Sequence, residues 1–527
     1  MGSANALKGR LIKKPSYLLT GTLLFLLIPA AAGCRLPGLE VRDPSPLPCL
    51  EESSRSSLGK AVSALSEGRE GKSGIYSLEN PRRAFAARIL LAEKAELTLD
   101  LQYFIWRRDK TGILLLEALR QAGERGVRVR LLLDDLGTNG LDRELAALNS
   151  HPNIEVRLFN PFAYRRFKWI GFFTDFHRAN RRMHNKSFTA DNSVAIVGGR
   201  NVGDDYFGAG DGLMWIDLDV LVAGPAATDT AGDFALYWDS RSAWPAGKVL
   251  PAPGEGDLKE LSRMASELKS GPGAEEFLES VESSEFIEEL ILDKLDMEWA
   301  PARIVSDDPA KGVGEAEPEG LLLAQLEEVI GLPSENLCLI SPYFVPTREG
   351  AAAFSGISEE GVRVRILTNS LAATNFLSVH AGYARSRRKL LEAGVELYEK
   401  RPVQITRERQ EPGPIAGSVT SLHAKTFAVD CKRVFVGSLN FNPRSVNLDT
   451  ELGLVIESPR LAEKIQEAFD SIIPANSYRV DLDKRGRLFW TGTTRGRASK
   501  YRREPGAGFL KRIGACLLSY LPVEWVL

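Results

Sequence analysis

HNKSFTAD (His184–Asp191) and HAKTFAVD (His423–Asp430) are two copies of one pattern, HxKxxxxD, set far apart in a chain of 527 residues. Each copy runs on to a small-residue pair and then an asparagine: Gly198-Gly199 and Asn201 in the first, Gly437-Ser438 and Asn440 in the second. Three fixed positions recur by chance, so one copy says little. Two copies with matched downstream Gly and Asn point to two His/Lys/Asn sets brought together as one site, in a chain holding only 5 histidines.

The repetition reaches well beyond the motifs. GVRVRLL from Gly126 parallels GVRVRIL from Gly361, and Tyr103-Phe104 aligns with Tyr343-Phe344 ahead of the respective motifs. Downstream, DLDVLVAGP from Asp217 parallels ELGLVIESP from Glu451, each opening on an acid. Units this long exceed a solenoid repeat and predict two similar domains related by a pseudo-twofold axis.

Short β-branched or Leu-rich runs (LTLDLQYFI, VRVRLLLDD, IEVRLF) predict strands. TGILLLEALRQAGERG carries apolar residues at helical spacing and closes on Gly, as an amphipathic helix does. Alternating strands and helices imply an α/β fold on a parallel or mixed sheet. His and Lys at i and i+2 share one face of a strand, so HNKSF and HAKTF are expected as strands, with VAIVGG and VFVGS as hairpin partners.

These residue types suit phosphodiester chemistry. Neutral imidazole attacks phosphorus and protonated imidazole donates to a leaving oxygen, so His184 and His423 can divide the roles. Lys186 and Lys425 can hold non-bridging oxygens, and Asn201 and Asn440 can add neutral hydrogen bonds. Asp217 and Glu451 can each orient an imidazole and favour its charged form. The motif acids Asp191 and Asp430, and the hydroxyl of Ser438, complete the candidate catalytic set. With lysines supplying positive charge and no Cys/His cluster in the sequence, neither a metal nor a cofactor is expected.

At this point the chain resembles the phospholipase D superfamily, and within it the bacterial cardiolipin synthase group. The resemblance rests on DLQYFIWRRDKTG, RGVRVRLLLDDLGTNG, VAIVGGRNVGDDYFGA, VHAGYARSRRKLLEAGVELYE and SLHAKTFAVD, and spans about Arg82 to Ile473. It implies two α/β/α domains packed as a pseudo-twofold pair around one interfacial site. It also implies a metal-free reaction through a phosphohistidine, with His184 and His423 as nucleophile and general acid; near-symmetry hides which is which, and His184 is expected as the nucleophile. Gly199 departs from the pattern, which has Ser there as at Ser438.

The expected organisation is a lipoprotein-type signal or membrane anchor over 1–34, a flexible Pro/Ser/Glu-rich tether over 35–80, and a first domain over 81–250. An acidic connector over 251–320, a second domain over 321–475 and a basic, apolar tail over 476–527 follow. Basic residues Lys8 to Lys14 precede an uncharged run ending AAAGC, so Cys34 is a candidate lipid acceptor, with an uncleaved span as the rival reading. Either reading places the protein on the membranes of a bacterial cell envelope. A net charge of -2 argues against bulk electrostatic binding of nucleic acid. One local stretch, YRRFKWIGFFTDFHRANRR (Tyr164–Arg182), interleaves basic and aromatic residues, which suits an anionic lipid surface or single-stranded nucleic acid. The tail from Phe509 can lie on a membrane or pack on the domain.

Three functions fit: phosphatidyl transfer to a second lipid, hydrolysis of phospholipid or, less favoured, nucleic acid through the same intermediate, and binding by a dead site. Transfer and hydrolysis differ only in which hydroxyl reaches the intermediate. Membrane targeting and the resemblance favour transfer, with phosphatidylglycerol and phosphatidylethanolamine as candidate substrates. Oligomeric state has no sequence signal.

Overall fold

The computed structural model describes residues 36, 38–39, 50–210, 213–271, 286–291, 294–404, 419–494 and 497–521. The expected signal or anchor, the candidate lipid acceptor Cys34 and most of residues 35–49 lie outside them.

In chain order the first half contributes β1 (Ser73–Leu78), β2 (Thr98–Ile105), β3 (Arg128–Gly137), β4 (Ile154–Phe159), β5 (Ser187–Ala190) and β6 (Val194–Gly198). It adds β7 (Leu213–Ile216), β8 (Asp219–Ala223), β9 (Ala243–Pro245) and β10 (Glu298–Ala300). The second half contributes β11 (Ala302–Ser306), β12 (Asn336–Ile340), β13 (Arg363–Asn369), β14 (Glu396–Lys400), β15 (Val403–Gln404) and β16 (Val419–Leu422). It closes with β17 (Thr426–Val429), β18 (Arg433–Gly437), β19 (Leu452–Ile456), β20 (Ser477–Leu482), β21 (Leu488–Thr494) and β22 (Arg497–Tyr501).

The duplication is written in the strand order. The first sheet runs β10-β1-β8-β6-β5-β2-β3-β4-β9 and the second β11-β19-β18-β17-β12-β13-β14-β20-β21-β22. Eight successive positions, β1 to β9 and β11 to β20, correspond one to one. In both sheets the three strands joined by helices are parallel and the hairpin strands are antiparallel, as crossover and hairpin connections require.

The helix expected after LTLDLQYFI forms over Lys110–Glu124, started by the Asp109 carboxylate accepting from Gly112 N at 3.0 Å. Such a cap satisfies one of the orphan amides of the first turn. Helices Pro81–Lys94 and Lys110–Glu124 share a core with the first sheet, as Arg348–Glu359 and Leu377–Glu392 do with the second. The other faces meet each other. Ile75, Val197, Val220 and Val222 of the first sheet form one core with Cys338, Val434, Val436 and Leu454 of the second. Each fully buried aliphatic side chain there contributes about 1.5–3 kcal/mol, so the pseudo-twofold pairing is a packed core and holds the interfacial site rigid.

Three expected boundaries shift. The tether does not extend to residue 80: Ser57–Leu65 is a helix, and β1 is an inner strand between β8 and β10. The acidic connector contains β10 and β11, which join different sheets across the single residue Pro301. The tail adds β20, β21 and β22 to the second sheet before the helix Phe509–Ser519. Polar, Gly-rich composition marks exposure, but a short strand is defined by its partner. That partner is distant in sequence: Leu78 pairs with Asp219.

The Tyr-Phe alignment is also two residues out of register. Arg107 N donates to Val202 O and Val345 N donates to Phe441 O, each at the same place in its half. The partners of Tyr343-Phe344 are therefore Ile105-Trp106. Tyr103 is buried, its hydroxyl accepting from Arg88 Nε at 2.9 Å.

Candidate active site

Both motifs lie at the leading end of a hairpin strand. β5 starts at Ser187 and β17 at Thr426, so His184, Lys186, His423 and Lys425 sit just ahead of the ladder rather than within a strand. The expected hairpin partners are β6 and β18. The backbone continues across the domain boundary at this point. β16 runs parallel to β7, and His423 N donates to Ile216 O at 2.8 Å. In the mirrored position His184 N donates to Thr450 O at 2.9 Å.

This exchange crosses the acids over. His184 Nδ1 lies 2.8 Å from Glu451 Oε2, and His423 Nδ1 lies 2.6 Å from Asp217 Oδ2. Each half therefore supplies the carboxylate that orients the other half's histidine, and neither half holds a complete site alone. Lys186 Nζ and Lys425 Nζ donate to the carbonyls of their own histidines, and Lys425 Nζ lies 3.0 Å from His423 Nδ1. All six side chains are buried.

Burial sets the protonation. It drives His184 well below the ordinary imidazole value, and Lys186 and Lys425 push the same way. Burial and Lys425 take His423 down to about 3, with Asp217 opposing. The amines of Lys186 and Lys425 fall to about 7 and about 8 through burial, opposed first by Glu451 and Asp217 respectively. The two acids part company. Burial raises Glu451 to about 7 against the pull of Lys186. The same burial penalty on Asp217 is overcome by His423 and Lys425, which hold it well below the usual carboxylate range. A cluster poised this way gains most from an anion, because a bound phosphodiester restores charge to the buried bases.

The two asparagines differ. Asn201 is occupied within its own half, accepting from Ile105 N and donating to Tyr206 Oη, each at 3.0 Å. Asn440 is buried, and its Oδ1 has no partner among the described residues. Ser438 Oγ donates to Glu451 Oε2 and accepts from Leu452 N at 3.0 Å. At Gly199 a Cβ would come within 2.2 Å of Asp217 Oδ1, so the shorter acid occupies the space that a side chain would need.

Asp191 and Asp430 do not reach the reacting centre. Asp191 accepts from the amides of Glu96, Leu97 and Thr98, the last two at 2.8 and 3.0 Å. Asp430 accepts from Ser334, Glu335 and Asn336, the last two at 2.8 and 3.0 Å. Both stand at φ near +50°, at 51° and 52°, a conformation Asp tolerates better than most residues. They tie each hairpin turn to the start of the neighbouring strand. The conserved spacing of HxKxxxxD within this chain is thus the length of one hairpin arm.

Sequence reasoning missed the walls of the site. The ring of Phe104 meets His184 edge-on at 5.0 Å. Tyr206, Trp215 and Tyr343 surround His423 at 5.3, 5.2 and 6.3 Å. Behind Glu451, Asp307 Oδ2 accepts its amide at 2.8 Å, and behind His184, Asp134 Oδ2 accepts the Met183 amide at 2.7 Å. Trp215 and Asp449, whose charge opposes the depression of His184, precede the acids by the same step, a signal available in the sequence. The role of Asp307, from the connector, had none.

The basic-aromatic stretch keeps rings outward as expected, but three of its cations are drawn into ion pairs with buried acids. Arg165 and Lys168 pair with Asp135, and Arg182 is buried against Asp134. Its rings face outward, with Phe167, Trp169, Phe173 and Phe176 all exposed. Among the described residues no helix is long and apolar enough to cross a membrane, and no three His, Cys, Asp or Glu side chains form a metal-type cluster.

A family profile described as "Cardiolipin synthase, PLD-like domain" matches residues 89–229 and 326–473, one match per half. The chain belongs to this family. It is 48% identical to cardiolipin synthase C of Escherichia coli strain K12 over 89% of this chain and 99% of that protein. It is 26% identical to a cardiolipin synthase of Clostridium perfringens over 71% of this chain and 65% of that protein. The solved structure of phosphatidylserine synthase from Haemophilus influenzae shares the fold, with a TM-score of 0.50 and 14% identity over 79% of this chain and 91% of that one. The protein is an enzyme of the PLD-like superfamily, with one repeat of the family domain in each half.

Proposed function

We propose that the enzyme is a phosphatidyltransferase that forms cardiolipin-type lipid at the bacterial membrane through a phosphohistidine. The carrying observation is the crossed pairing, in which each histidine is held through Nδ1 by an acid of the opposite half. That leaves both Nε2 atoms for substrate. The names of the relatives at 48% and 26% identity support the lipid class, and the outward rings at residues 167–176 support a lipid-facing surface.

In the first step His184 Nε2 attacks phosphorus of a donor phospholipid. The P–O bond to the headgroup breaks, and His423 gives its proton to the leaving alcohol. Both imidazoles are held neutral before substrate binds, and His184 suits the nucleophile role because its partner Glu451 is the less ionised acid and would stabilise an imidazolium less. His423 suits the acid role because it takes up a proton when the anionic phosphodiester binds, and Asp217, which stays ionised, neutralises the imidazolium. Lys186, Lys425 and Asn440 would hold the non-bridging oxygens. In the second step a hydroxyl of phosphatidylglycerol attacks phosphorus, its proton passes to His423, and the P–N bond to His184 breaks. Aromatic rings crowd His423, and a reacting position closed to water in this way would favour transfer over hydrolysis.

The test is to incubate purified enzyme with labelled phosphatidylglycerol and phosphatidylethanolamine and identify the products. Cardiolipin with a released alcohol is expected. Phosphatidic acid alone would mean hydrolysis, and cleavage only of added DNA would sink the lipid reading.

A further inference from the structure

We infer that the C-terminal helix Phe509–Ser519 is a docking element that seats the second half on an anionic phospholipid surface. This rests on the lipid reading above and adds the surface through which the substrate is reached.

The helix is firmly mounted. Ala515 is buried in a small core with Leu371 and Ala507, and a Cβ at Gly514 would come within 2.8 Å of Leu377. Lys511 Nζ donates to Thr374 O at 2.9 Å, and Arg385 Nε donates to Ser519 O at 2.6 Å. The loop ahead of it is fastened by Glu504, which pairs with Arg387 at 2.8 Å. A helix anchored on one side has no need of apolar residues on the other. Yet Phe509, Leu510, Ile513, Leu517, Tyr520 and Leu521 form an outward stripe, Leu510 81% and Tyr520 82% exposed. Contiguous apolar surface of this kind marks an interaction site.

Charge selects the occupant. Across residues 484–512 the sequence carries ten Lys or Arg and one acid, Glu504, which is already paired internally. Arg502 and Arg503 are exposed on the loop just ahead of the helix, and an apolar stripe beside cations is the pattern of a helix lying in the headgroup region of an anionic bilayer. A second copy would bring the same positive charge and be repelled. The surface also leads to the chemistry. Phe376, at the head of the helix that carries the docking element, is exposed, and its ring lies 5.6 Å from Tyr343, itself 6.3 Å from His423.

A photoreactive benzoylphenylalanine placed at Leu510 or Leu517 of the full chain, with a control at Ser266 in the first half, reads this surface directly. In phosphatidylglycerol/phosphatidylethanolamine vesicles, adducts to lipid are expected at 510 and 517 and not at 266. Protein–protein adducts in place of lipid adducts would assign the stripe to a second copy, and no adduct at either position would also overturn the inference. Alongside it, L510E/L517E should lower kcat/KM on vesicles at least tenfold while leaving turnover of monomeric dihexanoyl-phosphatidylglycerol within twofold. Equal loss on both substrates would mean that the stripe acts on folding and not on docking. If the unaltered enzyme forms no cardiolipin-type product from either substrate, the functional reading fails, and the lipid adducts still decide the docking surface.

Discussion

His423 is held by Asp217, a short acid packed against Gly199, while His184 is held by Glu451, one methylene longer and bridged by Ser438. The two arrangements fill the same position in the pseudo-twofold plan with different parts. The Gly–Asp pair leaves a carboxylate next to His423 and Lys425 that stays ionised. The Ser–Glu pair leaves an acid whose burial outweighs the pull of Lys186 and pushes it up to about 7. Symmetry of the backbone thus carries an asymmetry of charge, which can divide nucleophile from acid.

The sharpest way to break this comparison is to remove the histidines. H184A and H423A should each lower turnover by roughly 10³–10⁴-fold. With labelled donor, H423A should still permit detection of phosphate on His184, whereas H184A should show none. Label on His423 in H184A would reverse the assigned roles.

Next in size, G199S forces a side chain onto Asp217, and about 10²-fold loss in kcat/KM is expected with the fold retained by circular dichroism. The mirrored change S438G removes one hydrogen bond to Glu451 and should cost under tenfold. Equal effects would show that the two pairs are interchangeable.

The acids themselves give a pH test. Below pH 7 Glu451 is protonated, and above it the carboxylate can accept Nδ1–H of neutral His184 and leave Nε2 facing phosphorus. The rate should therefore rise with pH through about 7. E451Q keeps an acceptor at every pH, so it should lose that ascending limb with a three- to tenfold lower plateau. D217N should lower the rate without moving the limb, because Asp217 is ionised throughout.

The smallest catalytic effect is expected at the motif acids. D191A and D430A each strand three backbone amides and should cost about 2–4 kcal/mol of stability, read by denaturant unfolding. Turnover per folded molecule should stay within threefold, and a hundredfold loss would return these residues to the chemistry.

Much of this was legible beforehand because it depended on local pattern. The β-branched runs of β2, β3 and β4, the amphipathic helix at Lys110–Glu124 and the hairpins after each motif follow from periodicity over a few residues. The histidines, lysines and cross-half acids were found because duplication singles out positions that recur. The same reasoning failed where likeness in letters was not likeness in register. Tyr103-Phe104 and Tyr343-Phe344 match by eye, yet the matching hydrogen bonds of Arg107 and Val345 make Ile105 the counterpart of Tyr343. Asp191 and Asp430 recur as faithfully as the histidines, but for the turn. Charge in the Tyr164–Arg182 stretch was visible, whereas its burial against Asp134 and Asp135 was not.

The sequence by itself determined the class of chemistry and the doubled α/β plan, since both rest on residue identity and spacing along one chain. Only the tertiary structure decided which acid serves which histidine, which asparagine keeps an oxygen without a partner among the described residues, and that β1, β10 and β11 belong to the sheets. Those facts depend on pairs far apart in sequence, His184 with Glu451 and His423 with Asp217, and on burial that sets proton affinities. Neither distance in space nor the loss of water is encoded in any single stretch of residues.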